Sequence, residues 1–169
     1  MSVLQPPPMR SFQVFAAMSA GESEAFFEKV KQAAPAIFAQ SVHTAAAALK
    51  TRPASMMKQP FVKQVAGVRR ALSRVAANAI ADETLATYFL EVRKELLIEW
   101  LDQIGIEHDG GSLAEDSPEE PPPAALKEAV DKFRSADDDP DRELLLRAFA
   151  SQTSIEWPTL DERIAEKLA

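Results

Sequence analysis

The stretch from Asp82 to Gly105 constrains the fold most, because its apolar residues cover most of the circumference of a single helix. Two stripes at steps of three and four residues form this surface: Leu85, Phe89, Val92, Leu96 and Trp100 in one, and Leu90, Leu97, Leu101 and Ile104 in the other. A helix that is apolar nearly all round lies in the protein interior. Asp82 suits the positive end of a helix dipole, and Gly105 suits a left-handed cap. The pattern therefore predicts one uninterrupted central helix between these residues.

A second helical stripe runs from Ser23 to Thr51 and contains Pro35. Proline removes a backbone donor and disfavours helical angles at Ala34, so the stretch forms either one kinked helix or two helices. The stripe stays in phase across Pro35, which favours the kink. A third stripe, from Phe61 to Ile80, alternates steps of four and three residues, a spacing that is typical of a helix in a bundle.

These patterns predict an all-α fold, a single-domain helical bundle of about five to eight helices with an acidic Pro/Gly-rich internal loop. We expect the helices of 61–80 and 82–104 to pack as a central antiparallel pair, with one long helix bent at Ala81 as the alternative. The predicted organisation is a disordered lead over 1–8, a bundle core over 9–104, an acidic linker over 105–123, and short helices over 124–169 docked on the core. The first short helix would end at Gly21.

The composition is that of one globular domain, since 169 residues, 46% of them hydrophobic, are enough to bury a core. The absence of cysteine excludes disulfides and thiolate zinc sites. Two histidines, His43 and His108, are too few for an imidazole metal cluster. No stretch is apolar enough for a signal peptide or a membrane span, so we expect a cytoplasmic protein.

The charges are segregated along the chain, whose net charge is −7. Nine basic residues and no acidic one lie between Lys29 and Ala81, and the remainder holds ten basic and all 26 acidic residues. The helix predicted over 61–80 carries its cations away from its apolar stripe. We call five residues the basic face: Lys58, Lys63, Arg69, Arg70 and Arg74.

Two interpretations of the basic face are open. It could contact the phosphates of a nucleic acid, although a pI near 4.9 weighs against this partner. It could instead pair with carboxylates of the same chain, in the linker 105–123 or the turn from Asp137 to Asp141, or with those of a second copy.

Glu107, His108 and Asp109 form a close cluster of potential metal ligands or acid–base groups in a glycine-flanked loop. Adjacent loop residues usually point in different directions, so a solvated turn is the main alternative. The sequence contains no Gly-x-Gly-x-x-Gly, Gly-Lys-Ser/Thr, Gly-x-Ser-x-Gly or His-Glu-x-x-His motif. We predict no cofactor and no metal, and enzymatic activity stays uncertain, with the balance against it.

Residues 95–113 resemble residues 143–160, since Glu95-Leu96-Leu97-Ile98 matches Glu143-Leu144-Leu145-Leu146 and Ile106-Glu107-His108 matches Ile155-Glu156-Trp157. The matches are few and involve common residues, so they fit either an internal duplication or chance. A duplication would suit side chains at His108 and Trp157 that dock on the preceding helix.

The sequence favours a non-enzymatic helical interaction or scaffolding protein that uses a charge-segregated surface. The expected partner is another protein or a second copy of the chain. Nucleic-acid binding through the basic face, residues 58–74, is the alternative, and an enzyme or metal site at Glu107–Asp109 comes third. Helical domains without a recognisable site more often bind partners than catalyse reactions.

Overall fold

A computed structural model describes residues 9–152 and 154–168, and the predicted disordered lead over 1–8 lies outside them. The described residues form ten α-helices and one two-stranded hairpin, which confirms the predicted all-α class. Their contacts divide the chain into two units, here called the N-terminal unit, residues 11–88, and the C-terminal unit, which begins at Phe89 and includes Met9 and Arg10. The division between the units lies at Tyr88, inside the range 9–104 that was predicted as the bundle core.

Six α-helices make up the N-terminal unit: α1 Ser11–Ala17, α2 Ala20–Ala33, α3 Pro35–Ala48, α4 Pro53–Met57, α5 Phe61–Leu72 and α6 Asn78–Thr87. Helix α3 packs against α2, α4 and α5, while α1 packs against α5 and α6. The core of this unit is a cluster of aromatic rings in contact with one another: Phe15, Phe26, Phe27, Phe38 and Tyr88.

Two predicted features of the first fifty residues are wrong. Pro35 breaks its helix and does not kink it, because Ala34 takes non-helical angles of φ −147° and ψ 72° and α3 starts at the proline. Gly21 lies in the first turn of α2 and does not end α1. The Ser19 hydroxyl accepts the Glu22 amide and the Glu22 carboxylate accepts the Ser19 amide, a capping box that starts α2 two residues before Gly21.

The helix predicted over 61–80 ends eight residues early. Ser73 follows α5, and its hydroxyl donates to the Arg69 carbonyl. Arg74 is extended, with ψ 140°, and a 3₁₀ turn spans Val75–Ala77. Val75, predicted on the apolar stripe, is therefore 61% exposed. Helix α5 packs most extensively against α3, so the predicted central pair is not formed as expected.

The central helix predicted over 82–104 starts earlier and is interrupted. Helix α6 begins at Asn78, which places Asp82 in its second turn, and a π-helical turn spans Tyr88–Val92. Arg93 leaves helical angles, with φ −123° and ψ 45°, before α7, Lys94–Gln103. The chain passes from one unit to the other inside this π-helical turn. The predicted interior positions Leu72, Phe89, Leu96 and Leu97 are nevertheless all buried, as expected.

The C-terminal unit continues with the hairpin β1 His108–Asp109 and β2 Ser112–Leu113, and with the helices α8 Pro123–Ser135, α9 Asp141–Ser151 and α10 Pro158–Leu168. Helix α8 packs against α7, α9 and α10. The core of the C-terminal unit contains a second group of aromatic rings in contact with one another: Trp100, Phe133, Phe149 and Trp157. No helix in the described part of the sequence is long and apolar enough to cross a membrane.

Candidate interaction surface

Helix α5 presents one exposed strip, formed by Val62, Lys63, Ala66 and Arg70. Val65, Val68 and Leu72 are buried on the opposite side of the helix. The helix therefore has one exposed and one buried side, as the apolar spacing predicts. Val62 and Lys63 are adjacent, and Ala66 and Arg70 follow Val62 at steps of four residues. This spacing places the four residues on one side of the helix.

The end of α4 is held next to the start of α5. Buried Gln64 donates its side-chain amide to the carbonyls of Met56 and Met57, at 3.3 and 2.9 Å. Lys58 directly follows α4 and precedes the first residue of α5, Phe61, by three positions. The basic face therefore extends beyond one helix: Lys58 follows α4, three of its residues lie in α5, and Arg74 lies just after α5. An amide of α5 satisfies the open carbonyls at the end of α4.

The five residues of the basic face do not act alike. Arg69 donates to the carbonyls of Phe15 and Ala16, at 3.2 and 2.9 Å, at the end of α1. Arg74 donates to the Ala48 carbonyl, at 3.1 Å, at the end of α3. Both arginines satisfy carbonyls that a helix end leaves without a partner. They thus contribute to the fold of the N-terminal unit as well as to its charge.

The other three residues, Lys58, Lys63 and Arg70, form what we call the cationic trio. All three residues are exposed, and none of their side chains makes a hydrogen bond or an ion pair with any residue that the structure describes. Two large apolar side chains lie beside them in sequence and are also exposed, Met57 at 40% and Val62 at 56%. The surface combines cations without a partner and apolar groups in contact with water.

The acidic turn predicted to neutralise the basic face is bound elsewhere. Arg142 donates to both carboxylate oxygens of Asp137, at 2.7 and 3.1 Å, and to Glu99, at 2.6 Å. Arg93 donates to Asp139 and Asp141, at 2.8 and 2.6 Å. The guanidinium of Arg142, followed by the amide of Asp139, holds the pKa of Asp137 below its ordinary value. Three of the four carboxylates of this turn, those of Asp137, Asp139 and Asp141, are thus neutralised by arginines of their own unit.

Each unit has its own sign of charge. Residues 11–88 hold nine basic and five acidic residues, a net charge of +4. The remaining residues hold ten basic and 21 acidic residues, a net charge of −11. The charge segregation seen in the sequence therefore coincides with the division of the fold.

The stretch predicted as a mobile acidic linker, 105–123, is held at several points. The Trp157 indole donates to the Pro118 carbonyl at 2.9 Å, and the Glu120 carboxylate accepts the Thr159 amide at 2.9 Å at the start of α10. The Ala114 amide donates to the Glu107 carbonyl at 3.1 Å. Between these anchors, Glu115, Asp116 and Glu119 are exposed. We call residues 115–119 the acidic segment.

His108, of the third candidate site, has a structural role in the hairpin. Its Nδ1 accepts the Gly111 amide at 3.1 Å, so its Nε2 carries the proton that bonds Asp102 at 2.6 Å. Gly110 and Gly111 both have positive φ, as a two-residue hairpin turn requires. Glu107 and Asp109 are exposed. No group of three potential metal ligands comes together within the described ranges.

Trp157 and His108, which the resemblance between residues 95–113 and 143–160 aligns, both contact the helix before them. The Trp157 ring packs on Phe149 of α9, with ring centres 5.2 Å apart, and His108 bonds Asp102 of α7. The following elements differ, since a hairpin follows α7 and a helix follows α9. The docking agrees with the expectation from the sequence, while a duplication stays a hypothesis.

A cavity of about 160 Å³ lies between α3 and α6. Its lining residues are Ile37, Gln40, Ser41, Thr44, Leu72, Ile80, Glu83, Thr84 and Thr87. The hydroxyls of Ser41 and Thr84 donate to carbonyls of their own helices. Glu83 is the one charged group of this lining.

The sequence named the five residues of the basic face but gave no sign of how their side-chain contacts differ. Ser19 and Glu22 form a capping-box pattern, from which the start of α2 could have been predicted. The roles of Arg69 and Arg74 depend on which helix ends lie nearby, which no local pattern reports.

Comparisons of the chain with known protein families, with curated proteins and with solved structures found no match.

Proposed function

We propose that this chain is a non-enzymatic interaction protein whose basic face binds an acidic protein surface. The observation that carries this proposal is the cationic trio, which is exposed and has no partner among the described residues. A carboxylate that approaches these side chains displaces only water and does not have to break an existing ion pair. Opposite charge also steers a partner toward this surface and accelerates its association.

The apolar residues beside the trio favour a protein partner over a nucleic acid. Exposed Met57 and Val62 suit the apolar contacts at the centre of a protein interface. Nucleic-acid interfaces are more polar, and those that bind single strands stack bases on aromatic rings. The one aromatic residue of α5, Phe61, packs instead on Phe38, with ring centres 5.6 Å apart, and lies near the Lys31 ammonium.

The acidic unit also weighs against a nucleic acid. A duplex carries about one negative charge per 1.7 Å of its axis, so the net charge of −11 on the C-terminal unit repels it strongly. A protein segment with three or four carboxylates carries far less negative charge and is repelled less. The preferred partner is therefore an acidic and partly apolar protein segment.

Amide-resolved NMR titration of the full chain tests this proposal with two probes. One probe is a synthetic helical peptide with leucines at steps of three and four and glutamates beside them, and the other is a random DNA duplex. We expect the peptide to shift the amide signals of α4 and α5. The triple variant Lys58→Gln, Lys63→Gln and Arg70→Gln should lose these shifts.

The matched control changes the same amount of charge in the other unit, through Lys94→Gln, Lys127→Gln and Lys132→Gln, and should keep the peptide shifts. Absence of any shift on α4 and α5 with the peptide would contradict the proposal. Tight, salt-sensitive binding of the duplex that the trio variant abolishes would replace it with nucleic-acid binding.

A further inference from the structure

We infer that the acidic partner of the cationic trio is the acidic segment, residues 115–119, of a second copy of this chain. The inference rests on the proposed function, since it names the occupant of the same surface. It begins from two sets of exposed charges of opposite sign that the fold leaves without partners.

The acidic segment has the properties of a presented ligand. Glu115, Asp116 and Glu119 are exposed, and none forms an ion pair or a hydrogen bond with the residues that the structure describes. The backbone around them is held by the Trp157 bond to Pro118 and by the bond between Ala114 and Glu107. A segment held in this way loses less conformational freedom on binding than a disordered one.

The two surfaces match in number of charges and in length. Three carboxylates face three cations in the proposed contact. Lys63 and Arg70 are separated by about 10 Å along the axis of α5, at about 1.5 Å per residue. Glu115 and Glu119 are separated by at most about 14 Å, the reach of an extended chain. Half-buried Leu113 precedes the acidic segment and provides an apolar group for exposed Val62.

Each chain carries both surfaces, so the contact joins different patches on the two copies. Such contacts either close as a reciprocal pair or continue to add copies. The average mass in solution therefore rises with protein concentration. Salt reduces it, because exposed charges are screened beyond a Debye length of about 8 Å at physiological ionic strength. Exposed ion pairs are individually weak, so low ionic strength is the condition in which the contact is measured.

Two charge-reversed variants test the contact by sedimentation equilibrium. The face-reversed variant carries Lys63→Glu and Arg70→Glu, and the segment-reversed variant carries Glu115→Lys and Glu119→Lys. We expect the wild type to show a mass that rises with concentration at low salt, and each variant alone to sediment as a monomer because its two surfaces now repel. An equimolar mixture of the two variants should recover the wild-type behaviour.

The control for net charge is Glu156→Lys with Glu162→Lys, which reverses two exposed carboxylates outside the acidic segment. Because this control variant keeps both surfaces, it should self-associate alone as the wild type does, which would show that the loss in the segment-reversed variant depends on the position of the reversed charges and not on the change in net charge. Circular dichroism of every variant checks that the helices are retained.

A wild type that stays monomeric at every concentration would overturn the inference, as would self-association that survives in either reversed variant. If the helical peptide probe still shifts α4 and α5 in that case, the proposed function stands and only the second copy is excluded. If the peptide also fails, both are wrong.

Discussion

The arginines of the two units donate to different kinds of acceptor. In the N-terminal unit, Arg69 and Arg74 donate to backbone carbonyls at helix ends. In the C-terminal unit, arginines donate to carboxylates: Arg93 to Asp139 and Asp141, Arg134 to Glu143, Arg142 to Asp137 and Glu99, and Arg163 to Asp131. A carbonyl bond holds two helices together but leaves the positive charge uncompensated. A carboxylate bond holds them together and neutralises the charge.

Among the described residues, this difference explains why exposed cations without a partner are grouped in the N-terminal unit. The C-terminal unit uses its cations to tie α7, α8, α9 and α10 together, so most of its arginines are already bound. The N-terminal unit relies on aromatic packing and helix caps for its stability, which leaves the cationic trio available. We therefore expect salt and acid to destabilise the C-terminal unit more than the N-terminal unit.

The largest predicted effect is the loss of stability when a core aromatic ring is removed, and it should be similar in the two units. Phe27→Ala in the N-terminal unit and Phe133→Ala in the C-terminal unit each remove a ring that is 0% exposed. Each should reduce the free energy of unfolding by about 3 to 5 kcal/mol, through lost apolar burial and the cavity left behind. Chemical denaturation measures both. A loss below about 1 kcal/mol for either variant would show that its aromatic cluster is not a core.

The second prediction separates the two kinds of arginine. Arg142→Met should reduce the free energy of unfolding by about 2 to 3 kcal/mol, because it leaves the buried Phe133 carbonyl and two carboxylates without their donor. Arg74→Met, which loses one exposed bond to a carbonyl, should cost about 1 kcal/mol or less. Chemical denaturation of each variant at low and at high salt measures these losses of the free energy of unfolding. Equal losses that do not change with salt would contradict the difference between the units.

The third prediction concerns Asp161 in α10, whose pKa is raised from 3.8 to about 6 by burial and then by the charge of Glu120. Because the folded state binds this proton more tightly than the unfolded state, its contribution to stability grows as pH falls from about 6 to 3.8. The ionised form therefore lowers the stability at neutral pH.

Asp161→Asn should raise the free energy of unfolding at pH 7 by about 1 kcal/mol, a value reduced for solvent screening of this half-buried group. The gain should disappear below about pH 4, where both states are protonated. Denaturation curves over this pH range measure it, with Glu162→Gln, an exposed neighbour, as the control. A gain that is independent of pH would contradict the assignment.

The fourth prediction is a small, local effect at the hairpin. His108→Ala removes the bonds to Asp102 and to the Gly111 amide. The free energy of unfolding should fall by about 1 kcal/mol, and the Gly111 amide should exchange its hydrogen faster. Unchanged exchange at Gly111 would show that the ring does not hold the turn and would reopen a role for His108 in a functional site.

Apolar spacing was sufficient to predict the helical class and the buried side of nearly every stripe, because burial follows the helical period wherever a helix forms. It failed at helix ends. The stripe continues past Ser73, yet α5 stops there, since a serine hydroxyl and an extended Arg74 end it. The apolar circumference of 82–104 predicted interior residues correctly but carried no sign of the π-helical turn at Tyr88–Val92.

The candidate surface was predictable only in part. The absence of acidic residues between Lys29 and Ala81 identified the basic face. Which of its cations have partners depends on helix ends that are distant in sequence, such as Ala16 for Arg69. The acidic turn from Asp137 to Asp141 was a reasonable partner from its composition alone, but in the fold Arg93 and Arg142 of the same unit bind its carboxylates.

The most direct test of the account measures stability and binding of one variant together. The triple change Lys58→Gln, Lys63→Gln and Arg70→Gln should leave the free energy of unfolding within about 0.5 kcal/mol of the wild type, because these side chains make no hydrogen bond or ion pair with the described residues. The same variant should lose the NMR shifts that the acidic helical peptide causes in α4 and α5. A loss of more than about 1 kcal/mol with peptide binding unchanged would mean that the trio serves the fold and not a partner.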